Sequence, residues 1–422
     1  MGAWIQGGRR SVLILGTRGI PAAHGGFETF AERLALHLVA RGWHVGVYCQ
    51  RDVDRVERRL TSETWRGIEL LQVEVASKGP VATLEFDAVC ARDAARRDGV
   101  ALVLGYNGAL FLPWLRLRGR RILTNMDGIE WKRPKWPLPV KGWLWINEWI
   151  GAWISNRLVA DHPRIADHLA TRRPRKAIAM IPYGGDPVCE PQAEALAPLG
   201  LEPDHFLVSI ARIEPDNSIA TLVEAFSRKR RGCKLAVLGK LEEGNPYHRQ
   251  VREAAGPEVV FPGAIYDQRI VQALRGHARA YLHGHTVGGT NPSLVEALWA
   301  GSAVIAHDNP YNRWTAGEGQ WFFRDADGCE RAIETVLSAD EAVAAAREAA
   351  LARAREQFSW DEILMSYESE LTRLLAKTPS RASVNPGHPS DVVFHRFGLS
   401  GRVVSPLQTW SDREGRNASS EG

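Results

Sequence analysis

Twice along this chain, short apolar runs alternate with longer amphipathic stretches, and an interval rich in Pro, Gly and Ala at residues 184–203 separates the two series. A run of about four to eight apolar residues bounded by turn residues reads as a strand buried on both faces. Such strands need helices on either side of a parallel sheet. The first series gives strands at 11–16, 45–49, 68–75, 101–105, 121–125 and 178–182. It also gives a helix at 27–39 with Phe27, Phe30, Leu34 and Leu38 on one side. The second series gives strands at 206–211, 234–239, 259–262, 280–283 and 303–307, then helical segments at 332–356 and 360–377. The class is α/β, with two Rossmann-like doubly wound domains. A ligand of such sheets binds in the crevice at the carboxyl ends of the strands. Residues 378–422 are rich in Ser, Gly and Pro without sustained periodicity and read as a mostly disordered tail.

A length of 422 residues fits two or three domains. The balance of 53 basic to 49 acidic residues, +4 in all, is too mild to point to nucleic acid. Cys49, Cys90, Cys189, Cys233 and Cys329 are dispersed with no Cys-x-x-Cys pair, which reads as reduced thiols and neither a disulfide framework nor a zinc site. No apolar run approaches the roughly 18 residues that span a bilayer. The run at 12–15, after Arg9-Arg10, is too short for a secretory segment. The expected location is the cytoplasm, with peripheral contact at the inner membrane face left open by residues 131–153. That region holds Trp131, Trp136, Trp143, Trp145, Trp149 and Trp153 beside Lys132, Arg133, Lys135 and Lys141. Tryptophan prefers the bilayer interface and cations favour anionic headgroups. The alternative is a buried helix, since residues 143, 146, 149, 150 and 153 share a helical face.

The richest stretch for chemistry is 284–301, Gly-His-Thr-Val-Gly-Gly-Thr-Asn-Pro-Ser-Leu-Val-Glu-Ala-Leu-Trp-Ala-Gly. Asn291 suits an N-cap and Pro292 the first helical position. A helix start presents unpaired N–H groups to an anion. Glu296, one turn in, can accept hydrogen bonds from sugar hydroxyls. Phosphate beside sugar suggests a nucleotide-sugar held by Gly288, Gly289, Thr290, Asn291, Ser293 and Glu296, with His285 lining the sugar pocket. His283 and His285 have His-x-His spacing but no third ligand, so no metal is expected. The loop Gly16 to Glu28 follows the first strand and lacks the Gly-x-Gly-x-x-Gly spacing of dinucleotide sites. Arg212 closes the first strand of the second series, where a cation can compensate a leaving diphosphate; a surface ion pair with Glu214 is the alternative. Asp127, in an Asp-Gly pair after the strand at 121–125, can orient or deprotonate an acceptor hydroxyl or simply form a turn.

These motifs resemble the retaining GT-B glycosyltransferases of family 4, and Gly-Gly-Thr-Asn-Pro-Ser-Leu is similar to the bacterial rhamnosyltransferase branch. The resemblance covers roughly residues 10–375. It implies an acceptor-side domain at 10–187, a nucleotide-sugar domain at 203–360 and a crossover helix at 361–377 that packs back on the first domain. Gly25 and Gly26 inherit a place facing donor phosphates and acceptor, with His24, Glu28, Asp127 and Glu130 on the acceptor side. Asp127, Arg212 and Glu296 carry the implied catalytic roles. Two positions depart from the family. Its phosphate-binding lysine is replaced by Asn217, and the first glutamate of its Glu-x7-Glu signature falls on Gly288. The implied activity moves L-rhamnose from dTDP-rhamnose to a polyprenyl-diphosphate-linked or saccharide acceptor in cell-surface polysaccharide assembly, without cofactor or metal. A UDP- or GDP-hexose donor, or a non-catalytic nucleotide-sugar-binding protein, are the alternatives.

Overall fold

The computed structural model describes residues 10–22, 25–188 and 190–376; His24 and the tail at 378–422 lie outside them. Fourteen strands form in chain order: β1 (Ser11–Leu15), β2 (His44–Asp52), β3 (Leu60–Trp65), β4 (Ile68–Val75), β5 (Val100–Leu104), β6 (Arg121–Asn125), β7 (Arg157–Ala160), β8 (Ile178–Met180), β9 (Phe206–Ile210), β10 (Lys234–Leu238), β11 (Val259–Gly263), β12 (Ala280–His283), β13 (Val304–His307) and β14 (Trp321–Phe323). They build an eight-stranded sheet in the order β3-β4-β2-β1-β5-β6-β7-β8 and a six-stranded sheet in the order β11-β10-β9-β12-β13-β14. Among the described residues only β3 runs antiparallel to its neighbour. These are the two doubly wound α/β domains expected.

Three strands lay below the reach of the apolar pattern. β3 is a polar edge strand joined to β4 through Arg66 and Gly67, both at positive φ (49° and 82°), a two-residue hairpin turn. It buries little, so it carries no apolar run. β7 and β14 are short, and pairing defines them, β7 with β6 and β8 and β14 with β13. A single helix expected at 332–356 is two, Ala326–Ser338 and Asp340–Gln357, broken at Ala339. Alanine is the best helix former, so a break inside an Ala-rich run has no Gly or Pro to announce it.

The first domain's core extends beyond its own half of the sequence. Trp360, Ile363, Tyr367, Leu371 and Leu374 of the Trp360–Ala376 helix are buried with Val12, Ile14, Phe30, Leu34 and Leu38 in one cluster. At about 1.5–3 kcal/mol for each large apolar side chain enclosed, this packing ties the end of the chain to its beginning. The chain crosses between the domains twice, and the crossings touch. Gly185 donates its N–H to the Phe358 carbonyl at 2.9 Å and bridges to Ser359. Only glycine fits there, since a Cβ on Gly185 would lie 2.2 Å from Trp299 Cδ1.

The tryptophan-rich helix, Leu138–Ile154, presents part of its apolar surface to solvent. It buries Leu144, Asn147, Glu148, Gly151 and Ala152 and turns Trp145, Ile146 and Trp153 outward, at 43%, 48% and 61% exposure. The face through 143, 146, 149, 150 and 153 is therefore not its buried one. Polar partners decide this. Asn147 Oδ1 accepts from the Leu110 N–H at 2.9 Å. Glu148 accepts from Trp131 Nε1 at 2.9 Å and Arg172 Nε at 2.8 Å, and pairs with His168 Nε2 at 3.0 Å.

Candidate active site

The carboxyl ends of both sheets face each other, and the two domains touch along that line. β9 ends at Ile210, so the next residues swing Arg212 out to solvent, its side chain 69% exposed. Arg212 Nη1 lies 3.1 Å from Glu214 Oε1, so the surface ion pair forms while most of the guanidinium stays open. Asn217 is buried and donates from Nδ2 to the Arg212 carbonyl at 2.8 Å, fixing the turn without adding charge.

The helix Pro292–Trp299 starts as its sequence dictates. Asn291 Oδ1 accepts from the Ser293 N–H at 3.0 Å. Ser293 is thereby turned inward, its hydroxyl donating to the Ile210 carbonyl at 2.9 Å. Thr290 is tied to the first domain, its N–H donating to Asp161 Oδ2 at 3.1 Å and its hydroxyl to the Asp161 carbonyl. The N–H groups of Gly288 and Gly289 have no acceptor among the described residues. Gly289 must be glycine, because a Cβ would lie 2.2 Å from Asp161 Oδ1. Glu296 is oriented by Arg275, whose Nη2 is 2.5 Å from Oε2, and remains partly open to solvent.

His283 and His285 stack nearly parallel, centroids 4.2 Å apart, so their rings do not converge on a common point. Burial, then the charges of Arg133 and Arg212, push the His285 imidazole down to about 3, which makes it neutral at physiological pH. Among the described residues no three His, Cys, Asp or Glu are grouped as a metal set would require.

Across the junction, Asp127 sits at φ 52°, a left-handed conformation that aspartate tolerates. Its N–H donates to Asn125 Oδ1 at 2.9 Å, and Asn125 Nδ2 donates to the Tyr367 hydroxyl at 2.8 Å. The last helix thus sets the Asp127 turn. Desolvation, then the nearby Glu130, raise the Asp127 carboxyl to about 6. Glu130 itself is engaged by Arg133 Nε at 2.7 Å, so it organises its own loop. The Asp127-Gly128 turn abuts the donor loop: a Cβ on Gly128 would be 3.8 Å from Gly288 Cα. Gly26, one residue after Gly25, meets the second domain at Pro292, where an added Cβ would lie 3.1 Å from Cγ.

Beside this contact a cavity of about 290 Å³ opens in the first domain, lined by Gly26, Glu28, Gln50, Asp87 and Asn107 among others. It adjoins a larger one of about 1210 Å³ whose walls include Arg18, Asn107, Trp136, Val140 and Trp143. The predicted residues Gly25, Gly26, Glu28, Asp127, Arg212, His285, Gly288, Gly289, Thr290, Asn291 and Glu296 thus lie along one junction, while the Ser293 N–H and hydroxyl are taken up by Asn291 Oδ1 and the Ile210 carbonyl.

Two acids escaped the sequence analysis. Asp87 has no hydrogen-bond or ion-pair partner among the described residues, and desolvation raises it to about 7. It stands mid-helix, where no pattern distinguishes it from a solvated position. Asp161 Oδ1 is enclosed without a partner. Desolvation, then the charge of Asp127, raise that carboxyl to about 7. Its signal was the Asp-His-Pro following β7, a strand not recognised in the sequence.

Residues 192–353 match the family described as glycosyl transferases group 1. The chain thus has the two-domain GT-B fold, and its second domain matches that glycosyl transferase family. Residues 9–186 match a domain of unknown function, DUF1972. No curated protein matches the chain in sequence. The fold is similar to that of sucrose-phosphate synthase from Thermosynechococcus elongatus, at TM-score 0.74 and 19% identity over 87% of this chain and 100% of that one. It is also similar to Anabaena HepE in complex with UDP and glucose, at TM-score 0.68 and 15% identity over 86% and 100% of the two chains. An E. coli trehalose-6-phosphate structure bound with UDP-2-fluoro glucose gives TM-score 0.68 and 12% identity over 86% and 99%. The group 1 domain carries Arg212, the 288–290 loop and Glu296; Asp87, Asp127 and Asp161 come from the region of unknown function.

Proposed function

We propose that this chain is a retaining, metal-independent hexosyltransferase that moves L-rhamnose from dTDP-rhamnose to a lipid-linked or saccharide acceptor in cell-surface polysaccharide assembly. The observation that carries the transferase reading is one line of contact. Arg212 and the open Gly288 and Gly289 amides stand on the second domain, and a cavity that includes Glu28, Gln50, Asp87 and Asn107 in its walls stands beside the Gly26–Pro292 contact on the first. In this reading the departing diphosphate is stabilised by Arg212 and the two amides, where charge develops. Glu296, braced by Arg275, accepts from the nucleoside sugar. Asp127, with its carboxyl near neutrality, receives or orients the proton of the attacking hydroxyl. The acceptor's sugar end enters the cavity beside Glu28 and Asp87. In this reading, closure of the two domains on the bound donor excludes water and limits donor hydrolysis.

A UDP-hexose donor is the second reading, favoured by the UDP and UDP-2-fluoro glucose named with two similar structures. Peripheral membrane contact belongs to the proposal as well, supported by the outward Trp145, Ile146, Trp153 and Leu138. No helix among the described residues is long and apolar enough to cross a membrane.

The test incubates the purified chain and membranes with dTDP-rhamnose, UDP-glucose and GDP-mannose, reading lipid-linked products by mass spectrometry. A deoxyhexose mass increment from dTDP-rhamnose is expected, with kcat lowered about a hundredfold or more in Arg212→Gln. Increments from UDP-glucose alone would install the second donor. Binding without any increment would make the chain a nucleotide-sugar-binding protein.

A further inference from the structure

We propose that Lys135 and Arg133 of the first domain supply phosphate-binding charge to the second, beside Arg212. The proposal rests on the nucleotide-sugar reading above and adds a partner from the opposite domain.

A diphosphate that leaves with several negative charges is poorly served by one guanidinium already facing a carboxylate. Glu214 is the meeting point. Its Oε1 lies 3.1 Å from Arg212 Nη1, and its Oε2 lies 3.8 Å from Lys135 Nζ. Two cations from two domains therefore flank one carboxylate, and both keep solvent-facing surface. Arg133 stands two residues before Lys135 on the same loop, held there by Glu130. Asn217, by contrast, is committed to the Arg212 carbonyl and offers no charge.

The loop that presents Lys135 and Arg133 is braced by contacts of its own. Trp131 Nε1 donates to the buried Glu148 at 2.9 Å, and the Glu130 N–H donates to the Tyr106 hydroxyl at 2.9 Å. Glu130 holds Arg133 Nε at 2.7 Å, and Lys135 Nζ stands 5.0 Å from the centre of the Trp136 ring. The cations are thus set in place before any ligand arrives, which lowers the cost of binding. A diphosphate entering between Arg212 and Lys135 takes the position of Glu214 and replaces one carboxylate with a more highly charged group. Because its cations come from both sides, phosphate binding also draws the domains together. Guanidinium and ammonium to phosphate are charge-assisted contacts, stronger than neutral hydrogen bonds.

The experiment measures UDP, dTDP and inorganic pyrophosphate binding to the full chain by isothermal titration calorimetry. It compares wild type, Arg212→Gln, Lys135→Gln/Arg133→Gln, Lys135→Arg/Arg133→Lys and Glu214→Gln, each checked for an unchanged thermal melt. The double Gln variant should lose about tenfold or more in affinity for all three ligands, corresponding to about 1.4 kcal/mol. The charge-preserving pair should recover most of that loss. Glu214→Gln should bind several-fold tighter, a gain that a purely structural carboxylate would not give. Wild-type affinity in the double Gln variant beside a loss in Arg212→Gln overturns the proposal while leaving the nucleotide-sugar reading intact. Failure of the wild type to bind any of the three overturns that reading, and this proposal with it.

Discussion

Glu148 and Asp161 are both acids of the first domain with carboxylates withdrawn from water, and their circumstances are opposite. Burial alone would raise Glu148, but His168, Arg172 and Trp131 outweigh it and hold the carboxyl below its ordinary value. Asp161 has the Thr290 N–H on one oxygen and nothing on the other, and it is raised to about 7. A buried charge completed by partners is architecture. One left incomplete where two domains meet forgoes stability, and such a place is where a ligand should be sought. The first carboxylate holds a helix whose apolar side faces outward; the second faces the loop where the sequence places a donor.

The comparison can be broken most severely at Glu148. Glu148→Ala leaves Arg172 with no carboxylate to meet and should cost about 3–5 kcal/mol in urea denaturation. A loss below about 1 kcal/mol would mean the partnered acid is not structural. At Asp161 the sign differs. An acid raised in the folded state contributes stability that is fully present below its unfolded value near 4 and lost as pH rises through about 7. Asp161→Asn can still accept from Thr290, so its melting temperature should match wild type near pH 4 and exceed it at pH 8. Each kcal/mol relieved should appear as about 2–4 °C. Equal melting temperatures at pH 8 would show that the unpartnered oxygen carries no penalty. The smallest effect belongs to the outward face held up by Glu148. Trp145→Ala with Trp153→Ala should change stability by no more than about 0.5 kcal/mol while reducing co-sedimentation with anionic vesicles. Unchanged co-sedimentation would remove the membrane contact from the functional reading.

Most of the fold was legible because parallel strands buried on both faces read as continuous apolar runs, so β1, β4, β6, β9 and β12 could be placed from their residues. β3 was hidden because an edge strand is polar, and Ala339 because its neighbours are good helix formers. The site was legible where local chemistry sufficed: Asn291 had to cap a helix, and Arg212 had to follow a strand. It was illegible where a side chain's meaning depends on the opposite domain. Nothing near Asp161 in sequence says that Gly289 lies against it, and nothing near Lys135 says that Glu214 does. The Trp131–Trp153 region left two readings open for a related reason. Its polar residues point inward to partners more than fifteen positions away, which reverses the rule that apolar faces are buried.

The paired crossings at Gly185 and Ser359 have a mechanical consequence. Two separate connections could shear past one another, but these are stitched by a shared hydrogen bond and wedged against Trp299 and Trp360. Any swing of one lobe against the other must therefore carry both connections together, like a clasp on one pin.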